Sequence, residues 1–150
     1  MNDRTPEGDA LTNLILEVFR MNGAMLDAGN QLTKPLGLTS ARWQVMGAIE
    51  LSGSALTVSQ IARRMGLARQ GVQRIVNELV KLELLALKPN LDHKRSALVI
   101  LTKKGEKTME KIGAAQSAWV NKLSADLSCR QLEQAVKVVR AVREKSENNE

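Results

Sequence analysis

Residues 56–85 read LTVSQIARRMGLARQGVQRIVNELVKLELL, and the punctuation of this stretch decides the fold. Thr57 with Gln60 three positions on is a capping box, and Gly66 supplies a stop, so Val58–Met65 is expected as a short helix. After a tight turn at Gly66 and Leu67, a second helix is expected from about Ala68 to Leu82. Val72, Ile75, Val76 and Leu79 share one of its faces, leaving Arg69, Gln70, Gln73, Arg74 and Asn77 on the other. A buried face backs a cationic, amide-bearing one.

Upstream, Leu11, Leu14, Ile15, Val18, Phe19, Met25 and Leu26 recur at helical spacing up to the neighbourhood of Asn30. Pro35 and Gly37 break that helix, and Thr39 caps another carrying Trp43, Met46, Ile49 and Leu51, which ends at Ser52 and Gly53. Downstream, the β-prone runs Leu84–Leu87 and Ala97–Leu101 flank KPNLDHKRS, a hairpin loop. Thr102 caps a long helix with Met109, Ile112, Gln116, Trp119, Val120, Leu123 and Leu127 on one seam. Ser128 with Gln131 reads as a second capping box, opening a last helix with Leu132, Ala135, Val136, Val139 and Val142. Residues 1–9 and 144–150 are polar and read as frayed tails. The order helix, helix, tight turn, helix, β-ribbon predicts a mainly α fold with a small β-ribbon, a winged helix-turn-helix.

The 150 residues are 43% hydrophobic and 25% charged, as in one ordinary globular domain. The formal charge is +6, and its distribution says more than its sum. Ser59–Lys107 holds 11 basic and 4 acidic residues, whereas the rest holds 11 and 12, so the whole excess lies in the central third. That points to a polyanion, with nucleic acid ahead of a membrane surface because no basic amphipathic helix is free to lie flat. No apolar run reaches the roughly 18 residues of a membrane span, and the start has no apolar core of a signal peptide, so a cytoplasmic, nucleoid-associated protein is expected.

Enzyme classes find little footing. His93 is the only histidine and Cys129 the only cysteine, without carboxylate clusters at ligand spacing, so no metal site, cofactor or catalytic triad is expected. No GxxxxGK[ST] or GxGxxG occurs. Cys129 falls in the first turn of the last helix and is read as a structural or incidental thiol.

Groove dimensions give the chemistry. An α-helix fits the B-DNA major groove, where Arg can be bidentate to guanine and Gln to adenine. Arg69, Gln70, Gln73 and Arg74 are therefore the candidate base readers. The start of the first motif helix, around Ser59 and Gln60, offers amides to a phosphate, with Arg63 and Arg64 adding charge nearby. Lys94 and Arg95 stand at the ribbon tip, where a narrow minor groove attracts cations. The alternatives are an architectural DNA binder with little sequence preference, or a winged helix that docks protein.

From about Leu36 to Gly105 the chain resembles the MarR family of bacterial winged-helix transcription regulators. LTSARWQVMGAI precedes the motif, residues 56–85 carry it, and PNLDHKRSALVILTKKG forms the wing and leads into the next helix. The wing phrase is the most specific part. Three positions depart from the family pattern: Glu83 where Gly usually closes the recognition helix, Leu87 where the first wing strand often has a basic residue, and Asp92 three residues before Arg95 rather than two. Asp92 is left to pair with Lys94 or Arg95, or to cap the turn.

The resemblance implies a homodimeric repressor on a pseudo-palindromic operator. Residues 10–35 and 106–143 would be dimerisation helices around a DNA-binding lobe at 36–105, with Met21, Met25, Leu132, Val136 and Val139 as interface candidates. It further implies release by a small, often aromatic, anionic effector, for which Phe19, Met25, Arg42, Trp43 and Met46 are the candidate lining and Arg42 the carboxylate partner.

Overall fold

The computed structural model describes residues 3–148. In chain order it contains α1 (Pro6–Thr33), a short 3-10 turn (Lys34–Leu36), α2 (Ser40–Ser52), α3 (Val58–Met65), α4 (Arg69–Lys81), β1 (Leu85–Lys88), β2 (Leu98–Leu101), α5 (Lys103–Leu123) and α6 (Cys129–Glu147). Mostly helical with one small antiparallel sheet, this is the expected winged-helix class. The chain divides into two compact units between Gly113 and Ala114, so α5 begins in the first and ends in the second.

The first unit holds the buried core. Val45, Met46 and Ile49 of α2, Ile61 of α3, Val72, Val76 and Leu79 of α4, Leu85 and Val99 of the sheet, and Met109 and Ile112 of α5 form one cluster. All four apolar residues assigned to the inner face of α4 are buried. Local chemistry sets the boundaries. Thr57 Oγ1 accepts from the Gln60 N–H at 3.2 Å while Gln60 Oε1 accepts from the Thr57 N–H at 2.9 Å, which completes the capping box. Gly66 follows at φ +63°, the left-handed stop that a residue without Cβ adopts freely.

Where α4 ends, Glu83 has φ +59°, so the left-handed exit is kept without glycine. The Leu84 N–H donates to Leu79 O and the Glu83 N–H to Val80 O, each at 3.0 Å, the paired bonds of a Schellman motif. A non-glycine residue there costs about 1 kcal/mol. The start of α5 offsets it: Thr102 Oγ1 donates to Glu83 O at 2.6 Å, and Lys104 Nζ donates to Leu82 O at 2.8 Å. Thr102 also caps α5, accepting from the Gly105 N–H at 3.0 Å. Gly105 packs so closely on Leu84 that a Cβ would overlap the Leu84 carbonyl oxygen.

The strands pair with Leu85 opposite Leu101 and Lys88 opposite Leu98, one residue later at each start than the sequence pattern suggests. Leu84 is drawn into the helix exit instead. A bridge between Leu56 and Val99, with N–H to O distances of 3.2 and 2.7 Å, ties the segment before α3 to the sheet, and no alternation announces it. In the wing loop Asn90 Oδ1 accepts from the Asp92 N–H at 3.1 Å. Among the described residues no ion pair joins Asp92 to Lys94 or Arg95, so the asparagine shapes the turn.

Both terminal helices reach further than the sequence reading placed them. Thr5 Oγ1 caps α1 by accepting from the Gly8 N–H at 3.1 Å, and Pro6 suits the first helical position, so the helix starts inside the segment expected to fray. Helix α6 likewise continues through Glu144 to Glu147, where Arg143 bonds Glu147 at 2.7 Å. The Glu147 hydrogen bond and charge raise the Arg143 pKa above its ordinary value. Residues 1, 2, 149 and 150 of the expected tails lie outside the described residues.

The C-terminal half of α1 is anchored on α2. Ser40 Oγ donates to Leu26 O at 2.6 Å, Asn30 Oδ1 accepts from the Ser40 N–H at 2.8 Å, and Gly29 gives Ser40 the room a Cβ would fill. Nearer its N-terminus and through its middle, α1 keeps Leu11, Ile15, Leu16, Phe19 and Met21 exposed. In the second unit α6 buries no residue, and Leu132, Val136, Val138 and Val139 are exposed. Ser128 Oγ caps this helix by accepting from the Gln131 N–H at 3.1 Å.

Candidate nucleic-acid interface

Three elements meet at a concavity of about 150 Å³ lined by Thr57, Val58 and Ser59 from the start of α3, Arg69 and Gln73 from α4, and Leu87, Arg95, Ser96 and Ala97 from the wing. The capping box fixes the first wall, turning Val58 and Ser59 into the opening turn, where helix amides have no intrahelical partner. The second wall follows from the α4 pattern, since burying Val72 and Val76 turns Arg69 and Gln73 outward. The third follows from antiparallel pairing, which folds Arg95 and Ser96 back beside Leu87. The result joins two guanidinium groups, a carboxamide and a helix N-terminus, a combination suited to anionic oxygens and to hydrogen-bonding edges.

Of the ten residues singled out from sequence for DNA, Ser59, Arg69, Gln73 and Arg95 are brought together here. Gln60 is engaged in the capping box. Arg63 and Arg64 are exposed in the last turn of α3, Gln70 is exposed beside Arg69, and Lys94 is exposed in the wing loop. Arg74 donates to Glu78 Oε1 at 3.1 Å, and Gln73 Nε2 donates to Asn77 Oδ1 at 3.0 Å, so two of the candidate readers are tethered to the next turn of their own helix. Sequence reasoning passed over Glu78, although its position four residues after Arg74 was the signal for such a pair. It also passed over Thr57, Ser96 and Ala97 as walls, which only the folded wing brings near.

The residues expected around a small ligand fare differently. Met46 is fully buried in the core and Trp43 packs against that core, whereas Phe19 is 69% exposed. Arg42, expected to meet a ligand carboxylate, is instead held by Glu78, with Nη2 at 3.1 Å and Nε at 3.3 Å from Oε2. The carboxylate partner of Arg42 therefore comes from within the chain. A second cavity, of about 310 Å³, is lined by other residues, among them Ile49, Glu50, Ile100, Leu101 and Glu106.

Among the described residues no group of three or more His, Cys, Asp or Glu is placed to hold a metal ion, and no helix is long and apolar enough to cross a membrane. Cys129 is exposed, its Sγ 3.5 Å from Glu133 Oε1.

A family profile described as MarR family matches residues 36–96, the stretch that builds α2, the motif and the wing. The chain belongs to the MarR family. Members of the MarR family are DNA-binding transcription factors, not enzymes. Uncharacterized proteins of Mycobacterium tuberculosis and Mycobacterium bovis are each 40% identical over 104 residues, 69% of this chain and 71% of theirs. Solved MarR structures share the fold at lower identity. A MarR family regulator from Silicibacter pomeroyi DSS superposes with a TM-score of 0.81 at 21% identity, covering 99% of this chain and 97% of its own. AbsC from Streptomyces coelicolor gives 0.80 at 18%, covering 99% and 100%. A mutant MarR from E. coli, complexed with operator DNA, gives 0.76 at 19%, covering 89% and 96%.

Proposed function

We propose that this MarR-family regulator is a homodimeric repressor that reads a pseudo-palindromic operator and acts at the nucleoid. The observation that carries the reading is the gathering of Ser59, Arg69, Gln73 and Arg95, from α3, α4 and the wing, around one concavity. Arg69, Gln70, Gln73 and Arg74 supply the base contacts, the start of α3 and the exposed Arg63 and Arg64 engage phosphates, and Lys94 and Arg95 reach the minor groove. Exposed apolar side chains on α1 (Met21, Met25) and on α6 (Leu132, Val136, Val139) support pairing of two copies, since faces of this kind on single helices call for a covering surface. Two recognition helices would then address half-sites about 34 Å apart. Release by an aromatic acid at Arg42 requires the ligand carboxylate to displace Glu78 from the guanidinium.

Selection of duplexes from a randomised pool tests the reading, by the wild type, by Gln73→Ala and by Lys103→Ala, which removes an exposed cation at the first position of α5 assigned to phosphate. The wild type is expected to enrich an inverted repeat and Gln73→Ala to alter one position in each half-site. Lys103→Ala is expected to enrich the same repeat with uniformly weaker binding. No enrichment by the wild type would contradict sequence-specific binding and favour an architectural role.

A further inference from the structure

Glu78 is the only acidic side chain of α4, the helix that carries Arg69, Gln70, Gln73 and Arg74. Its two carboxylate oxygens serve different helices. Oε1 accepts from Arg74 Nη1 at 3.1 Å, and Oε2 accepts from Arg42 Nη2 at 3.1 Å and Nε at 3.3 Å. Arg42 belongs to α2, and its Nη1 reaches the Gly37 carbonyl at 3.5 Å. Side-chain exposure falls inward along this chain of contacts, from 72% at Arg74 to 34% at Glu78 and 27% at Arg42.

An exposed i,i+4 pair on a helix is ordinarily weak and loosely held. Here the carboxylate is fixed from behind by the guanidinium fork of another helix, so Arg74 is tethered to the body of the lobe as well as to its own next turn. The fork is the planar, multiply bonded kind that lysine could not reproduce. A carboxylate beside a DNA-facing arginine also has a cost, because it weakens attraction to every phosphate regardless of sequence.

From these two facts, and resting on the DNA-reading function above, we infer that Glu78 is a specificity-determining positioning residue. Anchored by Arg42, it holds Arg74 in one place on the recognition helix and keeps that guanidinium off the phosphate backbone. Arg74 is thereby presented to a base edge. Without the carboxylate it sweeps freely and binds the nearest phosphate, which raises affinity for all DNA and lowers discrimination.

The test uses the full chain as wild type, Glu78→Gln, Arg42→Gln, Arg74→Ala and the Arg74→Ala/Glu78→Gln double variant. Each is titrated, over a series of salt concentrations, against the duplex that the wild type enriches from a randomised pool and a shuffled duplex of equal composition. Melting temperatures are taken in parallel. Glu78→Gln is expected to bind the shuffled duplex more tightly, with a slope of log K against log salt steeper by about one phosphate contact. Its preference for the enriched duplex should fall about tenfold, the scale of one lost bidentate base contact. Arg42→Gln should move both quantities the same way, and Glu78→Gln should change preference by less than about twofold once Arg74 is removed.

Lower melting temperatures with unchanged preference and slope would make Glu78 a structural residue only and overturn the proposal. So would an equal loss of preference with and without Arg74. A wild type that enriches no duplex defeats the DNA-reading function and this inference together. A selective wild type with an unaltered Glu78→Gln defeats this inference alone.

Discussion

Helices α4 and α6 carry apolar residues at the same helical spacing, and those residues meet opposite ends. In α4, Val72, Ile75, Val76 and Leu79 are all buried, whereas in α6 no residue is buried and Leu132, Val136, Val138 and Val139 are each at least 40% exposed. Periodicity shows which face of a helix seeks cover and is silent on what supplies it. For α4 the cover is α2, α3 and the sheet of the same lobe. For α6 the proposed cover is a second copy of the chain. The same contrast runs along α1, where Gly29 and Thr33 are buried near α2 and Phe19 stands free in the other half.

This contrast can be broken by mutation. Leu79→Ala removes a fully buried side chain from the lobe core and should cost about 3 kcal/mol in urea unfolding, in the usual range for a core leucine. A cost below about 1 kcal/mol would mean that the lobe is looser than its packing indicates. Gly105→Ala drives a Cβ into the Leu84 carbonyl at the exit of α4 and should cost about 2 kcal/mol, read as a lowered melting temperature. Thr57→Ala deletes the hydroxyl half of the capping box and should cost about 1 kcal/mol. Glu83→Gly relieves the left-handed strain and should stabilise by about 0.5 kcal/mol, provided the Thr102 bond to its carbonyl is kept.

Val139→Ala on α6 should have the smallest effect, and one that depends on protein concentration. At nanomolar protein it should change stability by less than about 0.5 kcal/mol, as expected of a surface position. At micromolar protein the loss should grow, because mass action couples stability to pairing. Melting temperatures that ignore protein concentration in both wild type and variant would leave α6 uncovered and remove the dimer from the account.

How much of this was legible in the sequence follows the same division. The motif and wing could be read because each local signal agreed with the packing: Thr57 with Gln60, Gly66, the four inward residues of α4, and the β-prone runs around the Asn90 turn. The Leu56–Val99 bridge was invisible, being one isolated pairing made by residues 43 positions apart. The true start of α1 was hidden by polar residues at Thr5–Asp9, where a cap and Pro6 outweigh the lack of apolar content. For the candidate interface, residue type picked out Arg69, Gln73 and Arg95, which the fold brings around one concavity, but type alone could not tell that Arg42 is engaged by Glu78. Its partner lies 36 residues away, and only the α2–α4 packing brings them together.

Two copies of the lobe are proposed to read two half-sites. The most direct test is fluorescence anisotropy of the full chain against the enriched inverted repeat, against the same half-sites moved apart by half a helical turn, and against a shuffled duplex. Sequence reading by a pair predicts two chains per duplex and a preference of about 10³ or more over the shuffled duplex. Most of that preference should vanish when the half-sites fall on opposite sides of the helix. Equal affinity for all three duplexes, with one common salt slope, would show binding to the backbone alone and contradict the account.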